Sequence, residues 1–497
     1  MVKGSISVFF TFILASVMCL VFTMGECIRI YELQNLAQEY MDMAVESAFS
    51  EYNPYLWANY KILAIDLGYG SANEGPGMME QKIIDYCRCN SNIENGLNYA
   101  RLEPEACSID KYALLTDESG IGIIELGVKA TKENMAAEII DGIQGHIDKV
   151  NNIEKIPVEE KATDGKNSLN NAKAELAAKK RAAAEDNDPR TNPGDYPDPA
   201  VVEDNPLDAF DILKESFAKG ILATVTDTEK LSDVSTEVEE LPSHRKLMEG
   251  NLDYEEGTSI VDKALFIDYL MNNYSYFGQD RKHDGLKYEV EYLVSGKETD
   301  TQCLASVVEQ ILLVREAANY TTIMKSDSMK LQAQGMAETL AGFSMNFAVI
   351  EAVRYAVIAA WAYAEATLDV RLLLSGGKVP VVKTPDQWTS DLLHLSNVGN
   401  VSFKAKNCDD GIEYKDYLIA FLALRNNEKL ALRAIDIMEN ALNSTEDYKE
   451  IKMDNMLWAG DIELAFSAEE LFLSLLSEHK RGESGQYNLV KSRYMSY

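Results

Sequence analysis

The sequence predicts an α+β protein, mainly helical, whose N-terminal transmembrane helix continues into an amphipathic stalk and then an extracytoplasmic mixed head. Three observations carry this expectation. Ser5 to Gly25 is an apolar run without a charged residue. An apolar stripe spaced by three and four residues follows it. Beyond Pro206, long helical patterns outnumber short β-like runs.

The apolar run has 21 residues and would form a helix about 31 Å long, matching a hydrocarbon core of about 30 Å. Phe9, Phe10, Phe12, Ile13, Leu14, Val17, Leu20, Val21 and Phe22 favour insertion by about −3 to −5 kcal/mol together, and no charge opposes them. Lys3 precedes the run, so the positive-inside rule puts residues 1–4 in the cytoplasm and everything after Glu26 outside. No small-x-small pair follows the run as a cleaved secretory signal requires, and neither Cys19 nor Cys27 has the small residues of a lipoprotein signal before it. The expected location is therefore the cell membrane, single-pass, with the bulk of the chain extracellular.

The stalk is expected over 26–53. Ile30, Leu33, Ala37, Tyr40, Ala44 and Ala48 form its apolar stripe, and Asn53-Pro54 ends it. Residues 54–150 look small and mixed. Lys61–Leu67 and Ile121–Val128 have strand character, and Lys132–Val150 helix character. The pair Gly120-x-Gly122 is too short for a phosphate loop. Residues 151–206 hold six of the twelve prolines, which predicts a flexible linker with an Ala/Lys/Glu-rich helical spacer over Lys173–Glu185. Residues 207–497 should form a mainly helical domain. Leu304, Val307, Val308, Ile311, Val314 and Ala318 trace one helix face, while Lys287–Val294 alternates like a strand. Phe347–Leu374 is strongly apolar, but Glu351, Arg354, Glu365, Asp369 and Arg371 interrupt it, so a buried core helix is expected and not a second span. Val379–Val382 reads as an edge strand carrying Pro380. Helices at about Tyr414–Leu424 and Glu428–Leu442 follow, then a β-like run at Asp461–Phe466 and an apolar segment at Leu471–Leu476.

The formal net charge of −33 argues against nucleic acid as a partner, because phosphate binding needs a basic face. It suits a solvated outer surface. Seven cysteines are too few for a disulfide scaffold. Cys107 could pair with Cys87 or with Cys89, or the three thiolates could share a metal, although no His lies near them in sequence. None of His146, His244, His283, His394 and His479 has metal-ligand spacing, and neither a nucleophile elbow nor a P-loop is present. Asp186-x-Asp188 lacks the glycine and glutamate of an EF-hand loop. Nothing nominates a catalytic residue, a cofactor or a small-molecule substrate. The expectation is a non-enzymatic protein.

Lys3-Gly4-Ser5-Ile6-Ser7-Val8 resembles the start of tight-adherence pilus pseudopilins, in which a short basic leader ends in Gly and the apolar helix begins at the next residue. The resemblance implies leader-peptidase processing between Gly4 and Ser5. Those pseudopilins carry Glu five residues after the leader glycine, where this chain has Phe9. The rest is similar to an uncharacterised family of Gram-positive membrane-anchored proteins. The similarity rests on Glu51-Tyr52-Asn53 with LWANYKILAIDLGYG, LKYEVEYLVSGK at Leu286–Lys297 and LLVREAANY at Leu312–Tyr320. It extends through AWAYAEATLDVRLLLSGGKVPVVKT at Ala360–Thr384 and YKDYLIAFLAL at Tyr414–Leu424. Together these imply an accessory component of a pilus or related secretion assembly, partnered by the membrane and by other proteins of that machinery. The alternative is an independent adhesin or ligand-binding ectodomain on a membrane stalk.

Overall fold

The computed structural model describes residues 2–91, 98–132, 142–145, 156–186, 190–252, 260–279, 285–473 and 485–497. The fold is α+β and mainly helical, with a long apolar helix ahead of the head. The chain divides into two compact units.

The first unit gathers residues 1–130, 239–258 and 434–497. Helix α1 (Val2–Phe49) is continuous across the apolar run and the stalk. Asn53 caps α2 (Pro54–Tyr60): its side chain accepts from the Tyr55 and Leu56 amides, and Pro54 supplies a preset φ at the first helical position. Strand β1 (Ile65–Asp66), helix α3 (Gly77–Ser91) and strand β2 (Leu102–Leu114) follow. Late in the sequence come β3 (Met456–Glu469) and β4 (Gln486–Ser496). Strand β3 is the spine of an antiparallel sheet. It pairs with β2 through Cys107 opposite Leu464, with β1 through Ile65 opposite Leu457, and with β4 through Lys491 opposite Leu464. The second half of α1 lays Leu33, Ala37, Met41, Ala44, Val45 and Ala48 on this sheet and on α3. Of the predicted stripe, Leu33, Ala37, Ala44 and Ala48 are buried and Tyr40 packs half-buried against the same core, which Met41 and Val45 widen.

The second unit holds residues 131–238 and 259–433. Its centre is α11 (Phe347–Leu374), in which every residue from Ala356 to Leu373 is buried. Around it pack α5 (Val158–Glu185), α6 (Pro206–Val225), α9 (Asp300–Lys325) and α10 (Asp327–Ala341). Helices α7 (Ile260–Asn273), α8 (Glu289–Ser295) and α12 (Tyr414–Ala423) complete it. Of the four places where the chain passes between the units, helix α4 (Asp117–Lys132) lies across the first and α13 (Asn427–Asn443) across the last.

Several expectations are corrected. Ile121–Val128 lies in α4, and Lys287–Val294 runs into α8. In α8 all six residues from Glu289 to Val294 are buried, so its sequence carries no amphipathic period to betray a helix. The segment 151–206 is not an open linker where it is described. Helix α5 buries Val158, Ala162, Leu169 and Leu176 and meets α11 so closely that a Cβ at Gly165 would overlap the Ala352 carbonyl and the Ala356 methyl. The tail from Ala434 belongs with the first unit and not with the helical domain. Val379 contributes only an isolated bridge to Ile412. Most of Lys132–Val150, with His146, Asp188, His283, His479, Leu475 and Leu476, lies outside the described residues.

Candidate functional site: the helix that leaves the head

Two helices are long and apolar enough to cross a membrane, among the described residues. They differ in what surrounds them. In Phe347–Leu374 the apolar window has a mean hydropathy of 1.4 and is 56% buried, which marks a core helix. In α1 the window has a mean hydropathy of 2.4 and none of it is buried. Phe9, Phe10, Phe12, Ile13, Leu14, Val17, Leu20 and Val21 all project outward, and Phe22 is half-buried. An apolar surface of this extent requires lipid or another protein around it. Gly4 and Ser5, the expected processing point, lie in the first turns of the same helix.

The junction is built from Glu26 and Arg29, the first charged residues after the apolar run, one helical turn apart. Both are buried and they pair at 2.7 Å. Arg29 also donates to the backbone carbonyls of Tyr99 and Ala100, at 2.8 and 2.7 Å. Glu26 accepts from the amides of Leu471, Phe472 and Leu473, the closest at 2.6 Å, where the chain leaves β3. Burial works against the Glu26 charge, but the Phe472 amide and the Arg29 guanidinium outweigh it and hold the carboxyl below its ordinary range. The Phe472 ring lies beside Gly25, 3.4 Å from where a Cβ would stand. Farther along, Arg493 of β4 donates to the Asp42 carboxylate at 3.0 Å and to Glu46 at 2.9 Å. The helix is thus fastened to the head at both ends of its packed half. Sequence reasoning passed over this clamp. Its signal was an oppositely charged pair three apart, immediately after twenty-one uncharged residues.

All seven cysteines are free thiols, so neither Cys87 nor Cys89 is bonded to Cys107. Cys87 and Cys89 stand two apart on α3 and face different ways: Cys87 is in the core and Cys89 is exposed. Cys107 borders the same core as Cys87, and burial pushes both thiols up to about 12, which leaves them unreactive near neutrality. Among the described residues, no group of three or more His, Cys, Asp or Glu could hold a metal ion.

The second unit buries charge in its core. Arg315 of α9 donates to Asp369 of α11 at 3.0 Å and to the carbonyls of Pro380 and Val381. Lys383 reaches both Glu365 and Asp369. Glu365 accepts from the Thr389 and Ser390 amides, and Asn319 donates to Asp369. Two cations face two carboxylates, and all four side chains are fully buried. Such a closed, neutral set ties the 380–390 segment to α9 and α11. Two further acids are buried without a salt-bridge partner among the described residues. Burial pushes the Glu291 carboxyl up to about 7, despite hydrogen bonds from the Tyr414 hydroxyl and the Phe277 amide, and that of Glu316 up to about 8. One oxygen of each finds no partner among the described residues, as fits a protonated acid.

The fold and the junction define a class: a two-unit α+β head carried on a long N-terminal apolar helix. A family model, described as a family of unknown function (DUF5702), matches residues 198–468, and the chain belongs to that family. No curated protein and no solved structure matches it.

Proposed function

We propose that this protein is an extracytoplasmic component of a pilus-like or related secretion assembly, anchored by α1 and acting through protein contacts and not through catalysis. The observation that carries this reading is the division of labour along α1. One half is apolar and uncovered, while the other is packed on an antiparallel sheet, the layout of a pilin subunit. On this reading the apolar half lies in lipid or against neighbouring subunits, with residues 1–4 on the cytoplasmic side. The acidic head meets other proteins outside. Phe9 takes the place of the pseudopilin glutamate, so no buried carboxylate recruits a neighbour's amine, which favours an anchored accessory role over a place in the filament shaft.

The test is crosslinking of the native protein in its own membranes, followed by pulldown and identification of what is recovered. The reading expects secretion-ATPase partners, membrane-platform proteins or pilin subunits. Recovery of none, with efficient capture of the bait, would sink it.

A further inference from the structure

The two edges of the sheet in the first unit are finished differently. Along β2, Pro104 and three register shifts break the pairing with β3. The backbone of β2 is also answered from outside the sheet. The Tyr112 carbonyl accepts from the Asn251 and Leu252 amides at 3.0 and 3.2 Å. The Ile109 and Leu114 amides donate to the carboxylates of Glu80 and Asp117, at 2.9 and 2.7 Å. Proline, bulges and covering groups are ordinary means of closing a sheet edge to further strands.

Strand β4 has none of them. Its 11 residues pair with β3 in unbroken register from Gln486 to Ser496. No second strand pairs with it among the described residues, and none of its residues is buried. Alternate amides and carbonyls of β4 therefore face away from β3, with no backbone partner among the described residues. On one face Val490 and Tyr494 are 56% and 54% exposed. On the other, Arg493 is tied to Asp42 and Glu46, whereas Lys491 has no carboxylate partner among the described residues. No acidic residue occurs from Gln486 to Tyr497, in a chain whose formal net charge is −33. The open edge is locally cationic.

We propose that β4 accepts an extended segment of a partner protein as a further antiparallel strand. The partner's backbone completes the outward amides and carbonyls, its apolar side chains lie beside Val490 and Tyr494, and one of its carboxylates meets Lys491. Antiparallel addition continues the way β1, β2 and β4 pair with β3. A single lysine discourages chance pairing along an edge, but it favours a strand that brings the opposite charge. A second copy of this chain fits less well, because α1 and β4 run the same way. Glu26 meets Phe472, next to the pair of Glu469 and Gln486; Asp42 and Glu46 meet Arg493, and Phe49 meets Tyr497. A copy added antiparallel to β4 would carry a reversed α1, and the two apolar runs would leave in opposite directions. That choice of occupant rests on α1 entering a membrane. The open edge does not, and neither rests on a pilus or secretion role.

The experiment uses the full chain in detergent micelles and the fluorescence anisotropy of labelled peptides as long as β4. In the probe, valines alternate with threonines around one central glutamate. One control has lysine in place of the glutamate, and another is N-methylated at each amide and so lacks donors. Saturable binding of the glutamate peptide is expected, about threefold or more tighter than that of the lysine peptide, with none of the N-methylated one. Lys491 is partly exposed, so its variants should keep the fold. Lys491→Gln should erase the preference between the charged peptides and Lys491→Glu should reverse it. Absence of saturable binding up to the millimolar range overturns the proposal. So does equal binding of the N-methylated peptide, or a preference that both variants leave in place. Self-association of the full chain in sedimentation, abolished by Val490→Lys, would give the edge to a second copy and overturn the choice of partner.

Discussion

At the scale of single residues, buried charge separates into groups that are completed and groups that are not. Glu291 and Glu316 are the simplest to test, because their raised values fix a sign. Below about pH 4.5, the ordinary value, both are protonated in the folded and the unfolded chain and linkage is silent. As pH rises, the unfolded chain releases these protons first and the folded chain still holds them, so stability falls. The loss ends near pH 7 for Glu291 and near pH 8 for Glu316. The Tm of the second unit should therefore decline from pH 5 to pH 8, and Glu316→Gln should flatten the upper part of that decline. A Tm that climbs over this interval in both proteins contradicts the assignment. The clamp at the foot of the apolar run makes a second prediction. Glu26→Ala leaves Arg29 buried and unpaired, and strips the Leu471–Leu473 amides of their acceptor. The expected loss is about 3–5 kcal/mol of first-unit stability in chemical denaturation. None of these environments could be read in advance. A carboxylate in the sequence does not disclose whether an amide from 445 residues away will reach it, as the Leu471 amide reaches Glu26.

At the scale of elements, what was legible depended on whether an element has two unlike faces. Helix α9 was announced by Leu304, Val307, Val308 and Ile311, and the core helix at Phe347–Leu374 by its apolar run broken by charges. Helix α8 was misread because it is buried all round, and Ile121–Val128 because its isoleucines and valine suit a strand equally well. Strand β2 was missed because its run, LEPEACSIDKYAL, carries bulge irregularities that break a clean alternation. The helical spacer expected over Lys173–Glu185 is the second half of α5, but its first half reads as linker because small residues and prolines dominate its neighbourhood, whereas small residues are what allow it to approach α11. Gly165→Ala separates the two views by sign. On an open spacer the change would stabilise the helix by up to about 1 kcal/mol. Against the Ala352 carbonyl it should destabilise the second unit by about 1–3 kcal/mol, read by urea unfolding.

At the scale of the whole molecule, the prediction concerns where the chain resides. The full-length protein should pellet with membranes and resist extraction by alkaline carbonate, while a variant lacking residues 5–25 should be released. Recovery of the intact chain in the soluble fraction after gentle lysis would remove the anchor, and with it the assembly reading. The apolar run and its length were plain in the sequence. The two-unit organisation was not, because the first unit is assembled from three separate stretches and no local signal marks them as one body.

That discontinuity bears on how the molecule is made. Tyr497 packs its ring on Phe49 and donates its hydroxyl to the Phe49 carbonyl, across a separation of 448 residues. Ribosomes add roughly 5–20 residues per second, so the packed face of α1 waits roughly 20–90 s for the strands that cover it. Helix α3 follows early, but the part of the α1 face that β3 and β4 cover waits for strands that are made last. Nascent chains arrested before β3 should therefore be captured by chaperones through that face.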